Sequence, residues 1–383
     1  MAKLLIISDM AHYERDGQIV GHGPTAREIS YLATRFEHVQ HVACFHVGPA
    51  PAMMLPYSSE RVHLIPMPFA GGDSLAAKVG VLRVAALYIR TILSELRALD
   101  PDNDVVHVRC AAPISLIAIM LLAFVRSPRK RWVKYAGNWQ PGYFDSSGYA
   151  IQRWWLMRGF ARAKVTVNGQ WPNQPPFITA FVNPCLTREE LDDAQNVSAA
   201  KPPLTPLRLI FVGQITEKKG VGRALEITRL LLDQGLDVTF DIIGDGPQRA
   251  GFEAQAAALG LQSHVCFHGW VARTSLAPLY AQSHIMLFPS DSSEGWPKVI
   301  SEAMAYGVVP VASNVSSIPQ YLQESGVGVT FNAYDLDAFA AAIIDYTRRP
   351  DQWQRESAQS IKAAERFSYD VYLANVTRLL ELE

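Results

Sequence analysis

The sequence predicts an α/β protein built from two doubly wound parallel sheets. Short apolar runs alternate with helix-length segments along the whole chain, and a proline-rich stretch divides this alternation in two. Runs that are apolar throughout are typical of parallel strands, because helices cover both faces of a parallel sheet. At 383 residues the chain is also longer than one ordinary core supports, so two domains are expected.

The first half carries the elements of one sheet, and we expect its domain to cover residues 1–190. The predicted strands are residues 3–8, 39–46, 105–108, 131–135 and 164–167. The predicted helices lie near residues 24–36, 75–99 and 113–125.

The second half repeats the pattern, and we expect its domain to cover residues 200–367. Prolines 202, 203 and 206 in the stretch NVSAAKPPLTPLRL break regular structure and predict a linker before it. A helix over residues 368–383 is expected to cross back to the first domain. The predicted strands are residues 207–212, 238–243, 265–268, 285–288 and 308–312.

Composition and charge favour a cytoplasmic globular protein. The formal net charge of -1 gives no reason to expect a nucleic acid partner. The four cysteines lie far apart without a CxxC pair, so neither a zinc site nor a disulfide framework is predicted. The N-terminal apolar run ends at Asp9, which suits a buried strand better than a signal peptide.

One segment raises the question of a membrane. The apolar run 114–125 is shorter than the roughly 20 residues that span a bilayer, so it predicts a buried helix. A basic cluster follows it and supports the alternative that this face contacts anionic lipid at the inner side of a membrane. Its members are Arg126, Arg129, Lys130, Arg131 and Lys134.

After residues 285–288 the chain reads PSDSSEGWPK, a polar loop that leads into a short helix. Such loops bind anions in α/β sheets, because N–H groups and the positive end of the helix dipole meet there. Glu294 is expected just before the helix and Glu302 inside it. An anion between these carboxylates, flanked by two polyols, describes a nucleotide sugar. The N–H groups that would contact the anion belong to Gly295, Trp296, Pro297 and Lys298, of which proline contributes only its position.

Two more loops follow strands and have compositions that suit a diphosphate. The first, GQITEKKG, contains Gly213, Gln214, Lys218 and Lys219. The second, GDGP, contains two glycines, Gly244 and Gly246. Each loop alone is also what an ordinary turn with solvated side chains looks like. The order of the three loops is more specific than any one of them.

The order of these motifs resembles the retaining GT-B glycosyltransferases of family 4. The resemblance covers essentially the whole chain and is most specific in the second half. The family's strand, GR pair, lysine and glycine correspond to the run from Val212 to Gly220, and its GDGP turn to residues 244–247. Its PS, EG, EAMA, G and PVVAS block corresponds to residues 289–313. The resemblance implies two Rossmann-like domains that face each other across a cleft.

The resemblance also implies a function. It predicts a hexosyltransferase of the EC 2.4 class that moves a sugar from a UDP- or GDP-sugar to a hydroxyl of a glycan, lipid-linked or small-molecule acceptor, with retention. It implies that Glu294 contacts donor-sugar hydroxyls, that Glu302 contacts the ribose, and that Lys219 neutralises the diphosphate. The backbone near Trp270 and Val271 would contact the base. No metal or cofactor is expected, because the lysine and helix N-termini supply positive charge.

The chain departs from the family at Gln214, where arginine is usual. Glutamine donates hydrogen bonds without charge, so diphosphate binding is expected to weaken unless Lys218 compensates. Two alternatives therefore stay open. They are a non-catalytic protein that binds sugar nucleotides, and an epimerase or hydrolase of the same fold.

Candidate residues in the first half are fewer. Gly21 and Gly23 are expected in a glycine-rich loop before the helix at Pro24, where N–H groups would point towards the donor phosphate. The family often has a histidine near the reacting sugar, and no histidine here occupies an equivalent position. Arg109 is the substitute candidate, with a structural ion pair as the alternative.

Overall fold

The chain divides into two compact units, Met1–Val182 with Tyr372–Glu383, and Asn183–Val371. A computed structural model describes residues 2–72, 75–140, 147–198, 201–292 and 294–382, with only the backbone for residues 75–78. The sequence prediction placed residues 183–190 in the first domain, whereas their contacts assign them to the second unit.

The first unit contains ten strands in one sheet. Seven of them are parallel and follow the order β6-β4-β1-β7-β8-β9-β10. The strands are β1 (Lys3–Ile7), β2 (His12–Arg15), β3 (Gln18–His22), β4 (His38–Phe45), β5 (Met54–Pro56), β6 (Val62–Pro68), β7 (Val105–Cys110), β8 (Lys130–Tyr135), β9 (Lys164–Val167) and β10 (Ile178–Ala180).

Helices cover both faces of this sheet, as a doubly wound fold requires. One face packs against the first and last helices of the chain, where Trp132 and Phe36 are fully buried. The other face packs against three helices around Tyr88 and Leu122. The helices are α1 (Gly23–Leu32), α2 (Leu75–Arg97), α3 (Pro113–Phe124), α4 (Ser147–Met157) and, at the end of the chain, α13 (Tyr369–Leu380).

A β-hairpin stands where the sequence predicted a glycine-rich loop, so that prediction is wrong. Strands β2 and β3 pair antiparallel, with Arg15 opposite Gln18. The two residues between them, Asp16 and Gly17, both have positive φ, at 53° and 75°. An Asp-Gly pair in this conformation is the usual two-residue hairpin turn, and the sequence contained that signal.

The second unit contains a six-stranded parallel sheet with the order β13-β12-β11-β14-β15-β16. This is the Rossmann order, in which the strand sequence reverses direction between β11 and β14. The two sheets confirm the predicted fold class. The strands are β11 (Leu207–Val212), β12 (Val238–Ile243), β13 (Val265–Gly269), β14 (Ile285–Phe288), β15 (Val309–Ser313) and β16 (Val329–Phe331).

Helices separate these strands. The sequence prediction gave α6 its observed start but treated residues 188–198 as part of a linker. Thr187 and Glu190 bond each other's backbone N–H groups, at 3.1 and 2.8 Å, and this capping box begins a helix there. The helices are α5 (Arg188–Ser198), α6 (Val221–Asp233), α7 (Arg249–Ala258), α8 (Ala277–Gln282), α9 (Lys298–Ala305), α10 (Ile318–Ser325), α11 (Leu336–Arg348) and α12 (Pro350–Ala364).

The basic cluster that suggested lipid contact is partly structural. Arg131 is 5% exposed and donates to three carbonyl groups that follow or end α3. Lys134 is 3% exposed and forms an ion pair with Glu28. These two side chains therefore do not belong to a lipid-facing surface. Among the described residues, no helix combines the length and apolar character needed to cross a membrane.

Candidate functional site

Three loops meet at the carboxyl edge of the second sheet. They follow the neighbouring strands β12, β11 and β14, and all three strands are parallel. The strand order reverses between β11 and β14, so the helices after these two strands leave on opposite sides and open a crevice between the loops. The predicted donor residues lie in these loops.

Lys219 and Glu294 contact each other across this reversal point. Lys219 ends a single 3-10 turn after β11, and Glu294 lies in the loop after β14. Their side chains form an ion pair and are 16% and 37% exposed. Burial lowers the pKa of Lys219 to about 8, because desolvation disfavours the ammonium ion more than the neighbouring carboxylate favours it. A partly desolvated lysine of this kind is suited to pair with a bound anion.

Gly244 has to be glycine because its backbone lies against the β11 loop. Its φ is +136°, and a Cβ atom there would lie 1.8 Å from the carbonyl oxygen of Gly213. At Gly246 a Cβ atom would lie 2.3 Å from the carbonyl oxygen of Ile215. The N–H of Ile215 donates to the carbonyl of Asp245 over 3.0 Å, which ties the two loops together. The glycines therefore permit a close approach of two strand-to-helix loops.

The loop after β14 holds the 3-10 turn in place. The carbonyl of Lys218 accepts hydrogen bonds from the Asp291 N–H at 3.0 Å and from the Ser290 hydroxyl at 3.2 Å. The side chain of Lys218 itself is exposed. Gly220 follows with φ of +82°, where a Cβ atom would lie 2.1 Å from the Pro289 carbonyl oxygen. Together these contacts set the position of Lys219 against Glu294.

The segment 295–298 leads into α9 as predicted, but one of its members is a core residue. Pro297 is the N-cap, and the N–H groups of the first helical turn have no acceptor within the helix. The Gly295 carbonyl accepts from the hydroxyls of Ser316 and Ser317, at 2.9 and 2.5 Å. Trp296 is 4% exposed, so its side chain serves packing rather than ligand contact.

The contacts of Trp296 explain its burial. Its ring stacks on Phe367 with centroids 5.1 Å apart and planes parallel within 1°, and its Nε1 donates to the Ser301 hydroxyl at 2.7 Å. This packing fixes the start of α9. Lys298, the first residue of that helix, is half-buried, and its carbonyl accepts from the Cys185 thiol at 3.8 Å.

Glu302 is held by an arginine that the sequence prediction missed. The guanidinium of Arg273 contacts the Glu302 carboxylate and donates to Glu190 at 2.9 Å and to the Cys185 carbonyl at 2.7 Å. Burial alone would lower the pKa of Arg273, yet Glu302 and Glu190 raise it above its ordinary value. Glu302 is 9% exposed, and this network fixes its orientation.

A second arginine, Arg223, was also missed. It is 6% exposed and donates to the Pro289 carbonyl at 2.8 Å. Its guanidinium lies over the ring of Tyr334, 4.8 Å from the centroid, and Nη2 lies 3.6 Å from Asp291. Tyr334 donates in turn to the Asp291 carboxylate. Arg223 therefore supports the loop after β14 from the first turns of α6.

The remaining predicted donor residues are accessible. Gln214 is exposed at the start of the β11 loop, and Trp270 is 48% exposed after β13. Val271 beside it is half-buried. These placements leave the predicted contacts of their side chains or backbone with a ligand as predictions.

In the first unit the structure contradicts the expected setting of the glycines. Gly21 lies in β3, paired with His12 on one side and Leu55 on the other. The N–H of Gly23 donates to the Met53 carbonyl at 3.2 Å. That N–H is therefore already used, and strand pairing rather than a phosphate loop accounts for both glycines.

Arg109 occupies a buried ion pair, which is the structural alternative considered for it. Its guanidinium donates to Glu28 at 2.8 Å, and Lys134 donates to the same carboxylate at 2.6 Å. Tyr372 of α13 reaches this carboxylate at 3.3 Å. Burial lowers the pKa of Arg109, but the opposing and larger influence of Glu28 raises it. The group joins α1, β7, β8 and α13.

The fold is that of the GT-B class. Sucrose-phosphate synthase from Thermosynechococcus elongatus superposes with a TM-score of 0.72, at 17% identity, over 100% of this chain and 98% of that one. HepE from Anabaena gives 0.68 at 13% identity and covers 100% of both chains. A glycosyltransferase from Rickettsia africae gives 0.64 at 16% identity. Likeness at this level of identity shows the fold alone.

The family follows from the second unit. Residues 193–366 match the family model described as glycosyl transferases group 1, and through this segment the chain belongs to that family. The segment contains all the predicted donor residues of the second half.

Curated relatives match in the same manner. The amylovoran biosynthesis glycosyltransferase AmsK of Erwinia amylovora is 33% identical over 144 residues, which are 36% of this chain and 35% of AmsK. The 2-deoxystreptamine glucosyltransferase of Streptomyces kanamyceticus is 37% identical over 103 residues, 27% of this chain and 26% of that one. The matches thus span about a third of the length of these relatives or less.

Proposed function

We propose that this chain is a retaining hexosyltransferase that moves a sugar from a nucleoside diphosphate sugar to an acceptor hydroxyl. The observation that carries the proposal is the contact between Lys219 and Glu294 at the reversal point of the second sheet. A cation faces a carboxylate there, beside loops whose glycines allow a close approach to the backbone. A diphosphate and the sugar attached to it require these two kinds of partner at this distance from each other.

In the proposed reaction the ammonium of Lys219 stabilises the charge that develops on the leaving diphosphate. The carboxylate of Glu294 accepts hydrogen bonds from donor-sugar hydroxyls, and that of Glu302 accepts them from the ribose. The acceptor oxygen forms the new bond on the face from which the diphosphate leaves. A diphosphate oxygen takes the acceptor proton, so the reaction needs no carboxylate as base and no metal ion at the diphosphate.

The names of relatives guide the choice of substrate. The HepE structure is a complex with UDP, and the matched Streptomyces relative is a glucosyltransferase. We therefore propose a UDP- or GDP-sugar as donor and a glycan, lipid-linked or small-molecule hydroxyl as acceptor. We place the reaction in the cytoplasm, with the exposed Arg126 and Arg129 as the part of the basic cluster available for contact with anionic lipid.

A panel of UDP-, GDP- and ADP-sugars in a thermal-shift assay tests the donor. A ligand at a hundredfold excess over its Kd stabilises the folded chain by about 2.7 kcal/mol, which is readily measured. The donors that shift the unfolding temperature are then incubated with acceptors, and release of nucleoside diphosphate is followed. No shift with any donor would reject the proposal. A shift without transfer to any acceptor would leave a non-catalytic binding protein, and release of product without acceptor would indicate a hydrolase.

Substitutions test the two carboxylates. Glu302→Gln should weaken binding of the free nucleotide, whereas Glu294→Gln should chiefly lower turnover. Glu190→Gln is the matched control, because it removes the other carboxylate on Arg273 and leaves Glu302 in place. If Glu190→Gln and Glu302→Gln weakened nucleotide binding equally in calorimetry, Glu302 would act through Arg273, and its assignment to the ribose would be wrong.

A further inference from the structure

Three side chains with metal-binding atoms converge on one face of the second sheet, near the strand β13. They are Asp241 of β12 and Cys266 and His268 of β13. Each offers one ligand atom, and these atoms all lie within 4.8 Å of one another. We propose that these residues bind one divalent transition-metal ion, with Zn²⁺ as the chemical class that fits best. The site goes beyond the proposed transfer reaction and uses none of its donor residues.

The strand register brings the three side chains together. Asp241 and Cys266 are directly opposite each other in the parallel ladder. The register then shifts, because Ile242 pairs with Phe267 while Ile243 pairs with Gly269. His268 is therefore the extra residue of a β-bulge, a feature that re-aims a side chain. Its Nε2 lies 2.6 Å from the Asp241 Oδ1.

The set of donor atoms selects the metal. Imidazole nitrogen, thiolate sulfur and carboxylate oxygen are the three ligand types that Zn²⁺ uses in proteins, with bonds of about 2.0–2.3 Å. Around a tetrahedral ion such atoms lie about 3.3–3.8 Å apart. Side-chain rotations of about 1 Å or less convert the observed spacing to that geometry. Three protein ligands leave the fourth position for water.

The site is accessible to an ion from solution. Strand β13 ends the strand order of its sheet, and Cys266 is the exposed one of the four cysteines, since Cys44, Cys110 and Cys185 are buried. The carboxylate and imidazole are 30% and 26% exposed. Burial and the Asp241 carboxylate raise the pKa of the Cys266 thiol. The thiol therefore carries its proton until the metal displaces it, and binding releases one proton.

The sequence gave no sign of this site because it lacks a CxxC pair. Its ligands come from two strands and become neighbours only in the sheet. An ion bound there would join the last strand of the sheet to β12 by coordinate bonds, and would stabilise the folded chain by the ordinary linkage of binding to folding.

Cobalt titration of the full chain tests the proposal. The protein is treated with chelator, exchanged into buffer with a non-thiol reductant and titrated with Co²⁺. We expect one equivalent to produce a thiolate-to-cobalt charge-transfer band together with the visible absorption of tetrahedral Co²⁺, and Zn²⁺ to displace it. Cys266→Ser should abolish the charge-transfer band, and His268→Gln should lower the Zn²⁺ affinity at least tenfold.

The stacked pair His38 and His63 supplies the control, because its imidazole centroids lie 4.4 Å apart and offer another place for Zn²⁺. His63→Gln should leave the cobalt spectrum and the Zn²⁺ affinity unchanged. No charge-transfer band in the wild-type protein, a band that survives Cys266→Ser, or a loss of affinity in His63→Gln would overturn the proposal. Donor binding measured on Cys266→Ser should equal that of wild type, so a failed metal site and a failed donor site give different results.

Discussion

The affinity for a nucleoside diphosphate should fall as pH rises through the pKa of Lys219. Burial lowers that pKa to about 8 from the ordinary 10.5. Since the diphosphate binds the charged amine, binding above this pH requires uptake of a proton. The charged fraction is about 0.9 at pH 7 and about 0.1 at pH 9, so the Kd should rise about tenfold between them, and a further tenfold by pH 10.

Calorimetry with free UDP and GDP, at matched ionic strength, measures this slope. The second phosphate ionisation has a pKa of about 6, so the ligand keeps its charge throughout the window. Lys219→Arg is the decisive variant, because a guanidinium stays charged and the affinity should become independent of pH. Lys218→Ala is the matched control and should keep the slope, since that side chain is exposed. A flat profile in wild type, or an unchanged slope in Lys219→Arg, would refute the reasoning.

Three stability predictions follow from contacts outside the reaction. Glu28→Gln leaves two buried basic groups without an anion and should lower the free energy of unfolding in urea by about 3–5 kcal/mol. Gly244→Ala puts a Cβ against the Gly213 carbonyl and should lower the thermal midpoint and donor affinity together, whereas Gly251→Ala, in open space within α7, should slightly stabilise. Trp296→Ala leaves a cavity and should lower stability by about 3–5 kcal/mol, measured by thermal unfolding.

Much of the fold could be predicted because buried parallel strands have a strong local signal. Four strands, β9, β11, β12 and β14, have the predicted bounds, and each is an apolar run of four residues or more. The three-residue strands β5, β10 and β16 were missed, since so short a run has no measurable periodicity. The helix α5 was missed although its capping box is written in the sequence, because the prolines after it suggested a linker.

The candidate site divides in the same way. Lys219, Glu294 and Glu302 were found because a loop that follows a parallel strand reaches the same edge as its neighbours, whatever its sequence distance from them. Arg273 and Arg223 were not found, because the partners of an arginine are decided by packing: Glu190 and Glu302 approach Arg273 from separate helices. The same holds for Arg109, whose burial against Glu28 no local pattern indicated.

By itself the sequence determined which segments become strands and helices and which loops share the carboxyl edge of a sheet, because periodicity, turn residues and strand direction are local or follow from topology. Only the tertiary structure decided which charges are paired, which aromatic ring is core and which glycines face a backbone. These depend on distances between residues remote in the chain, as in the ladder that sets Asp241 opposite Cys266. Such distances arise when the sheet closes, and no local pattern encodes them.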